Sequence, residues 1–449
     1  MTPALTTKQR DWATALLISA VALGLRLWQL GSIKGFIFDE VYYAKDAHSL
    51  VQHGVELDAH GAAAFVVHPP IGKWIIGIGI KIFGFNEFGW RISAALIGTA
   101  SVTLMYFTAR KLFENFALSA GAALLMVFDG LHLVHSRTAL LDIFLTFFLQ
   151  LAFIFLLYSK HWAVALSLGL ALATKWTGLY YMIAYLFFVL YVDYRSHKAH
   201  EVKSPIAETF ATNFSKRFLQ YLIIPVAVYF TSYLGWFLNR KGWDRAWANP
   251  QDGTFSFIPA VLRSWWHYQI EILNFHTSLR DAHPYSANPW SWLILGRPTS
   301  FYYAAPTNCG SKQCAQEVLG LGTPLLWWAA ALALAAAIGL WIARREWKLG
   351  LLLLSVGAGY LPWFINQKRT TFYFYTIAFE PFLLLVLIYL AWHFLQSAKD
   401  AGELRVRQFA LGVGLAIIAL NFLYFLPLYL GISISHAAWA AHMWVPSWI

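Results

Sequence analysis

Charge is what this chain has least of. Of its 449 residues only 12% are Asp, Glu, Lys or Arg, 59% are hydrophobic, and the mean hydropathy is +0.54. Soluble domains carry about 25% charged residues, so a soluble globule is excluded. Cysteine is almost absent: Cys309 and Cys314 stand alone, in one polar loop reading CGSKQC. Two thiols do not make the four-ligand set of a structural zinc site, and they lie close enough for a disulfide in an oxidising compartment. Internal repeats and low-complexity tracts are missing. So is a cleavable signal peptide, because the apolar run behind the short basic stretch 1–10 continues to Leu30 without a small-residue cleavage site. The net charge of +11 would suggest nucleic acid in a soluble protein. Here basic loops account for it, and no nucleic-acid partner is expected.

What the chain has in abundance is apolar runs near the ~20 residues that cross hydrocarbon. Eleven are expected, over 12–30, 88–112, 117–134, 139–158, 162–174, 178–192, 219–238, 323–343, 349–365, 372–395 and 409–430. The fold class is therefore an all-α polytopic membrane protein, one membrane domain over 1–449. Loops of one parity all carry basic residues, among them Lys8, Arg110, Lys160, the run 195–217, Arg344 and Arg405. That places the amino terminus in the cytoplasm and two long segments, 31–87 and 239–322, on the extracytoplasmic face. Within the first, IGKWIIGIGIKIFGF is too short and too broken to cross and reads as an interfacial helix. The second is rich in Trp and Tyr, the residues of a lipid edge.

The chemistry-bearing residues gather at the ends of spans. GFIFDEVYYAKDAHSL sets Asp39 and Glu40 among Phe36, Phe38, Tyr42 and Tyr43. Such a pair often only begins a helix, but partial exclusion of water makes a carboxylate a useful base. HPPIGKW brings His68 and Lys73 to the interfacial helix, where Lys73 also has the option of snorkelling to headgroups. Arg91 and Lys175 sit at span ends on the same side, where ionisable groups are costly and usually functional. In SRTALLD, Arg137 and Asp142 either pair with each other or join them. Lys368 and Arg369 interrupt NQKRTTFYFY. Cations gathered on one membrane face suit a phosphate, Arg by a bidentate fork and Lys as a point charge.

FDEVYYA, HPPIGK, FGWRISAALIGT, SRTALLDIFLTFF and ATKWTG, in this order over the first 180 residues, resemble the protein O-mannosyltransferases, GT-C-type membrane enzymes that use polyprenyl- or dolichyl-phosphate mannose. The large MIR domain of eukaryotic members is missing from the second long segment, where about 80 residues stand instead, so the likeness is to the actinobacterial branch. The resemblance implies that Asp39 and Glu40 are the catalytic acidic pair and that Arg91 is essential. It also implies that Lys175 contacts the donor phosphate and that no metal or cofactor takes part. Arg137, Arg369 and Lys73 are the further phosphate candidates; His68, Asp142 and Tyr43 complete the expected site.

These readings converge on an inverting transfer of mannose from polyprenyl-phosphate mannose to Ser/Thr hydroxyls of secreted or membrane polypeptides, with Asp39 as base. The expected setting is a multi-pass protein of the cell membrane, with the secretion translocon as an associated partner. One rival is a transferase of the same architecture passing another lipid-linked sugar, such as aminoarabinose or arabinose, to a lipid or glycan. The other is a transporter, which would place its charges at mid-membrane and show repeated halves.

Overall fold

The computed structural model describes residues 6–249 and 255–449. The chain is mainly helical, and its helices start and stop on local signals. Helix α1 (Thr7–Leu27) opens on a reciprocal cap, in which the Gln9 amide donates to the Thr6 hydroxyl and the Thr6 amide to the Gln9 side chain. Asn86 caps α4 (Glu87–Phe113) by accepting from the Gly89 amide at 2.9 Å. Between them lie α2 (Glu40–His53), closed by left-handed Gly54, and α3 (Ile71–Phe83), entered through Pro69-Pro70.

The expected span 117–134 is interrupted. α5 (Phe116–Val127) stops at Phe128, and Asp129 caps a second, short helix α6 (Gly130–His135) by accepting from the His132 amide. The order continues with α7 (Asp142–Leu157), α8 (His161–Leu172) and α9 (Gly178–Ala199). The expected span 372–395 begins as a 3₁₀ turn, Tyr373–Ala378, before the helix Glu380–Gln396 takes over. Among the described residues, three helices are long and apolar enough to cross a membrane by length and composition: Glu87–Phe113, Pro324–Arg344 and Ala401–Leu430. Shorter apolar helices cover Phe116–Val127, Asp142–Leu157, His161–Leu172 and Glu380–Gln396.

The chain is not all-α. Strands β1 (Thr299–Ala304) and β2 (Cys314–Gly320) form an antiparallel hairpin, joined at its far edge by β3 (Ile434–Ser435). Its sequence, TSFYYA and CAQEVLG, carries the aromatic and β-branched residues that favour strands, but sits between long apolar runs that dominate any periodicity reading. A disulfide joins Cys309 to Cys314 at the turn of this hairpin.

α1 packs on α4, α3 lies between α2 and α4, and α4 leans on α5 and α7. The segments 31–87 and 239–322 meet over the helix ends. Tyr268 and His276, on the helix Ala260–Ser278, donate to the carbonyls of Val66 and Val67 at 3.0 Å each. Between the two segments a cavity of about 890 Å³ remains.

Candidate active site

The acidic pair splits in two directions because a turn precedes it. Phe38 holds φ +48°, a left-handed conformation rare for a bulky residue. Its ring is stacked on Phe301 of β1 at 4.6 Å and meets Phe374 edge-on at 5.3 Å, so packing from two distant segments maintains the strained turn. Asp39 then stands at the N-cap position of α2 without a side-chain capping bond and lines the cavity, while Glu40, in the first turn, points into the protein.

Glu40 is fully buried. It takes a two-pronged contact from Arg91 (Nε to Oε1 and Nη2 to Oε2, both 2.8 Å) and accepts from the amides of Ile37 and Ala139 and from the Trp90 indole. Arg91 also donates to the carbonyls of Leu30, Ile33 and Gly35. A guanidinium has five N–H groups, and all five are committed. Arg91 is 1% exposed and does not line the cavity. Arg91 thus ties the loop 30–40 to α4 with Glu40 as its counter-charge, and it lies outside the cavity lining where the phosphate contact is expected.

Arg137 is likewise turned away. Its Nη1 donates to the carbonyls of Leu25, Arg26 and Trp28, capping the end of α1. The alternative pairing of Arg137 with Asp142 is also not formed. Asp142 holds Lys175 instead, with Nζ at 2.8 and 3.1 Å from its two oxygens.

The cavity collects Asp39, Tyr43, His68, Lys73, Lys175 and Arg369 from the expected set. Burial pushes Asp39 up to about 6, against the pull of Lys175 and with the help of nearby Asp142; a hydrogen bond from Tyr43 favours the ionised form. Lys175 lies over the ring of Tyr375, 4.7 Å from its centre. Arg369 faces the same ring at 5.9 Å and Trp363 at 5.5 Å. Its Nη1 is buried without a hydrogen-bond partner among the described residues. Lys73 is spoken for: Glu56 accepts from it at 2.5 Å and Asp46 stands 3.7 Å away. His68 is held neutral by burial among Lys175, His276, Lys73 and Arg369, its ring 5.9 Å from Tyr43 and 5.2 Å from His276.

Four lining or supporting residues have no counterpart in the sequence expectations: Asp46, Glu56, His276 and Tyr375. Tyr375 was open to detection, since it closes the aromatic run behind Arg369. Asp46 stands two helical turns after Asp39, on the same face. Glu56 and His276 carry no such signal. Among the described residues, no group of three or more His, Cys, Asp or Glu side chains is arranged to hold a metal ion.

A helical membrane scaffold that folds two long segments over a cavity, with a raised carboxylate facing cations, has the build of a GT-C-type glycosyltransferase. Residues 16–238 match the family described as dolichyl-phosphate-mannose-protein mannosyltransferase, and 261–448 match the C-terminal four-helix membrane region of protein O-mannosyltransferases. The polyprenol-phosphate-mannose–protein mannosyltransferase of Mycolicibacterium smegmatis is 32% identical over 98% of this chain and 93% of its own length. The Corynebacterium glutamicum protein of the same name is 27% identical over 98% and 94%. Among solved structures, a chain of the Saccharomyces cerevisiae protein O-mannosyltransferase Pmt1–Pmt2 complex superposes with a TM-score of 0.80 at 13% identity, covering 99% of this chain and 93% of that one. The chain belongs to the protein O-mannosyltransferase family; it is a membrane-embedded glycosyltransferase.

Proposed function

We propose that this protein transfers mannose from polyprenyl-phosphate mannose to Ser/Thr hydroxyls of polypeptides, in one displacement with inversion. One observation carries the reading: Asp39 shares a cavity with Lys175 and Arg369, a carboxylate and two phosphate-compatible cations around one half-open space. Asp39, ionised, takes the proton of the acceptor hydroxyl. The oxygen so freed attacks the anomeric carbon from the side opposite the phosphate, and the bond from that carbon to the phosphate oxygen breaks. The electron pair departs with the lipid phosphate, where the guanidinium of Arg369 and the ammonium of Lys175 offset the growing charge. A phosphate is a good leaving group, so neither a strong general acid nor a metal is required.

The same reading puts the cavity on the extracytoplasmic face of the cell membrane, with eleven crossings and a cytoplasmic amino terminus. The basic loops support it, and the Cys309–Cys314 disulfide suits an oxidising side. Association with the secretion translocon would present acceptors before they fold.

The test is transfer of labelled mannose from polyprenyl-phosphate mannose to a Ser/Thr peptide by the purified protein in liposomes. Wild-type protein should transfer and Asp39→Asn should lose roughly 100-fold or more. No transfer by the wild type, with donor and peptide both present, refutes the reading.

A further inference from the structure

Arg369 does not reach the cavity on its own. Its Nε donates at 2.8 Å to the carbonyl of His276, in the last turn of the helix Ala260–Ser278. Such carbonyls have no partner inside their helix, and a cation there also suits the helix dipole. Arg369 Nη2 lies 3.5 Å from His276 Nδ1. A guanidinium only donates, so Nδ1 is the bare nitrogen and the ring proton sits on Nε2. Nε2 is the atom that donates to the Val67 carbonyl at 3.0 Å.

Burial and the neighbouring Arg369 and Lys175 keep the ring neutral, lowering it to about 4 against the opposing effect of the Val67 bond. The ring also packs beside Trp176 at 5.8 Å and His68 at 5.2 Å. One residue therefore joins the segment 31–87, the segment 239–322 and the cation at 369. Arg369 lines the cavity from this position, while its Nη1 is buried and makes no hydrogen bond among the described residues.

Resting on the transferase reading above, we propose that His276 is a positioning residue for the donor phosphate. It holds the Arg369 guanidinium at the cavity wall, where the lipid phosphate would sit, and it does so only while the two long segments are docked through Val67.

The test combines kinetics with binding of polyprenyl phosphate that carries no sugar, measured as quenching of tryptophan fluorescence in detergent. His276→Phe keeps a ring of similar size but loses both side-chain polar contacts, while the backbone carbonyl still accepts from Arg369 Nε. It should raise the donor KM and the polyprenyl-phosphate Kd ~10-fold, the scale of one hydrogen bond, with kcat within about threefold. His276→Gln, which keeps an acceptor and a donor, should recover part of the loss. In an Arg369→Lys background, His276→Phe should add less than about twofold, because the group it orients is gone. Tyr268→Phe loosens the neighbouring Val66 contact without touching Arg369 and should leave the donor KM unchanged.

An equal rise in Tyr268→Phe, or full multiplication of the His276 and Arg369 effects, would overturn the proposal. Should His276→Phe fail to fold, His276→Asn carries the same comparison, since its amide is too short to span both partners. Binding of polyprenyl phosphate reads this inference even if no acceptor is mannosylated, whereas absent transfer with normal binding counts against the transferase reading alone.

Discussion

Asp39 and Glu40 are adjacent, chemically alike and expected to fail in opposite ways. Glu40→Gln replaces one oxygen of a buried carboxylate that receives five donors with an amide that itself donates, and it strips the counter-charge from buried Arg91. Breaking one partner of such a pair costs ~3–5 kcal/mol, enough to unfold a marginal protein. Asp39→Asn does the reverse. Its carboxyl stands near 6 instead of 3.8, chiefly through burial. The fold therefore binds the proton more tightly than the unfolded chain does, and ionisation costs stability. That cost is absent below pH 3.8, grows between 3.8 and 6, and is fully present at pH 7. At ~1.4 kcal/mol per pH unit it is on the order of 3 kcal/mol, so an uncharged Asn should hold or raise stability while transfer falls roughly 100-fold. The assay is thermal unfolding of detergent-solubilised variants beside mannosyl transfer on the same preparations. A Glu40→Gln protein with wild-type melting and no activity would make Glu40 a chemical participant. An Asp39→Asn protein that melts early would make Asp39 a structural one.

With Asp39 as the proposed base, active when ionised, kcat/KM should rise with pH through about 6 and level off above it. Asp46 is pushed to about 6 as well by burial, so Asp46→Asn must leave that acid limb in place while Asp39→Asn removes it; a limb that follows Asp46 would reassign the base. Transfer should proceed unchanged in EDTA, as expected where Lys175 and Arg369 meet the phosphate; loss on chelation, restored by Mn²⁺ or Mg²⁺, would make the carboxylates ligands. Peptide mass mapping without reductant should recover 309 and 314 as one linked species from cell-derived protein; free thiols would move that loop to a reducing side.

Much of the helical scaffold was legible because the apolar runs are long and their ends carry caps or charges. The breaks were not. Asp129 inside an apolar run and the 3₁₀ turn at 373–378 depend on tertiary partners, such as the Trp327 indole that donates to Asp129 at 2.7 Å. Residue type and span end marked Asp39, Lys175 and Arg369 as site candidates. The same signals also marked Arg91 and Arg137, because a sequence records a cation but not the carbonyls that consume it. Leu30, Ile33 and Gly35 satisfy Arg91 through backbone atoms that any residue there would supply. Glu56 lies 17 residues before Lys73 and His276 lies 93 before Arg369; neither spacing belongs to a helix or strand period.

The turn at Phe38 has a consequence for how the protein comes into being. Phe301 and Phe374, which pack against Phe38, lie more than 260 residues further along the chain. A nascent protein carries its acidic pair almost from the start of synthesis, and Arg91 is made soon enough to tie down the loop 30–40, yet the ring packing around Phe38 is complete only once the chain has been made through residue 374. The cavity closes on the same schedule, because Arg369 and Tyr375 belong to that late stretch. Partly synthesised chains are thus expected to lack the assembled cavity, and with it the transfer proposed above.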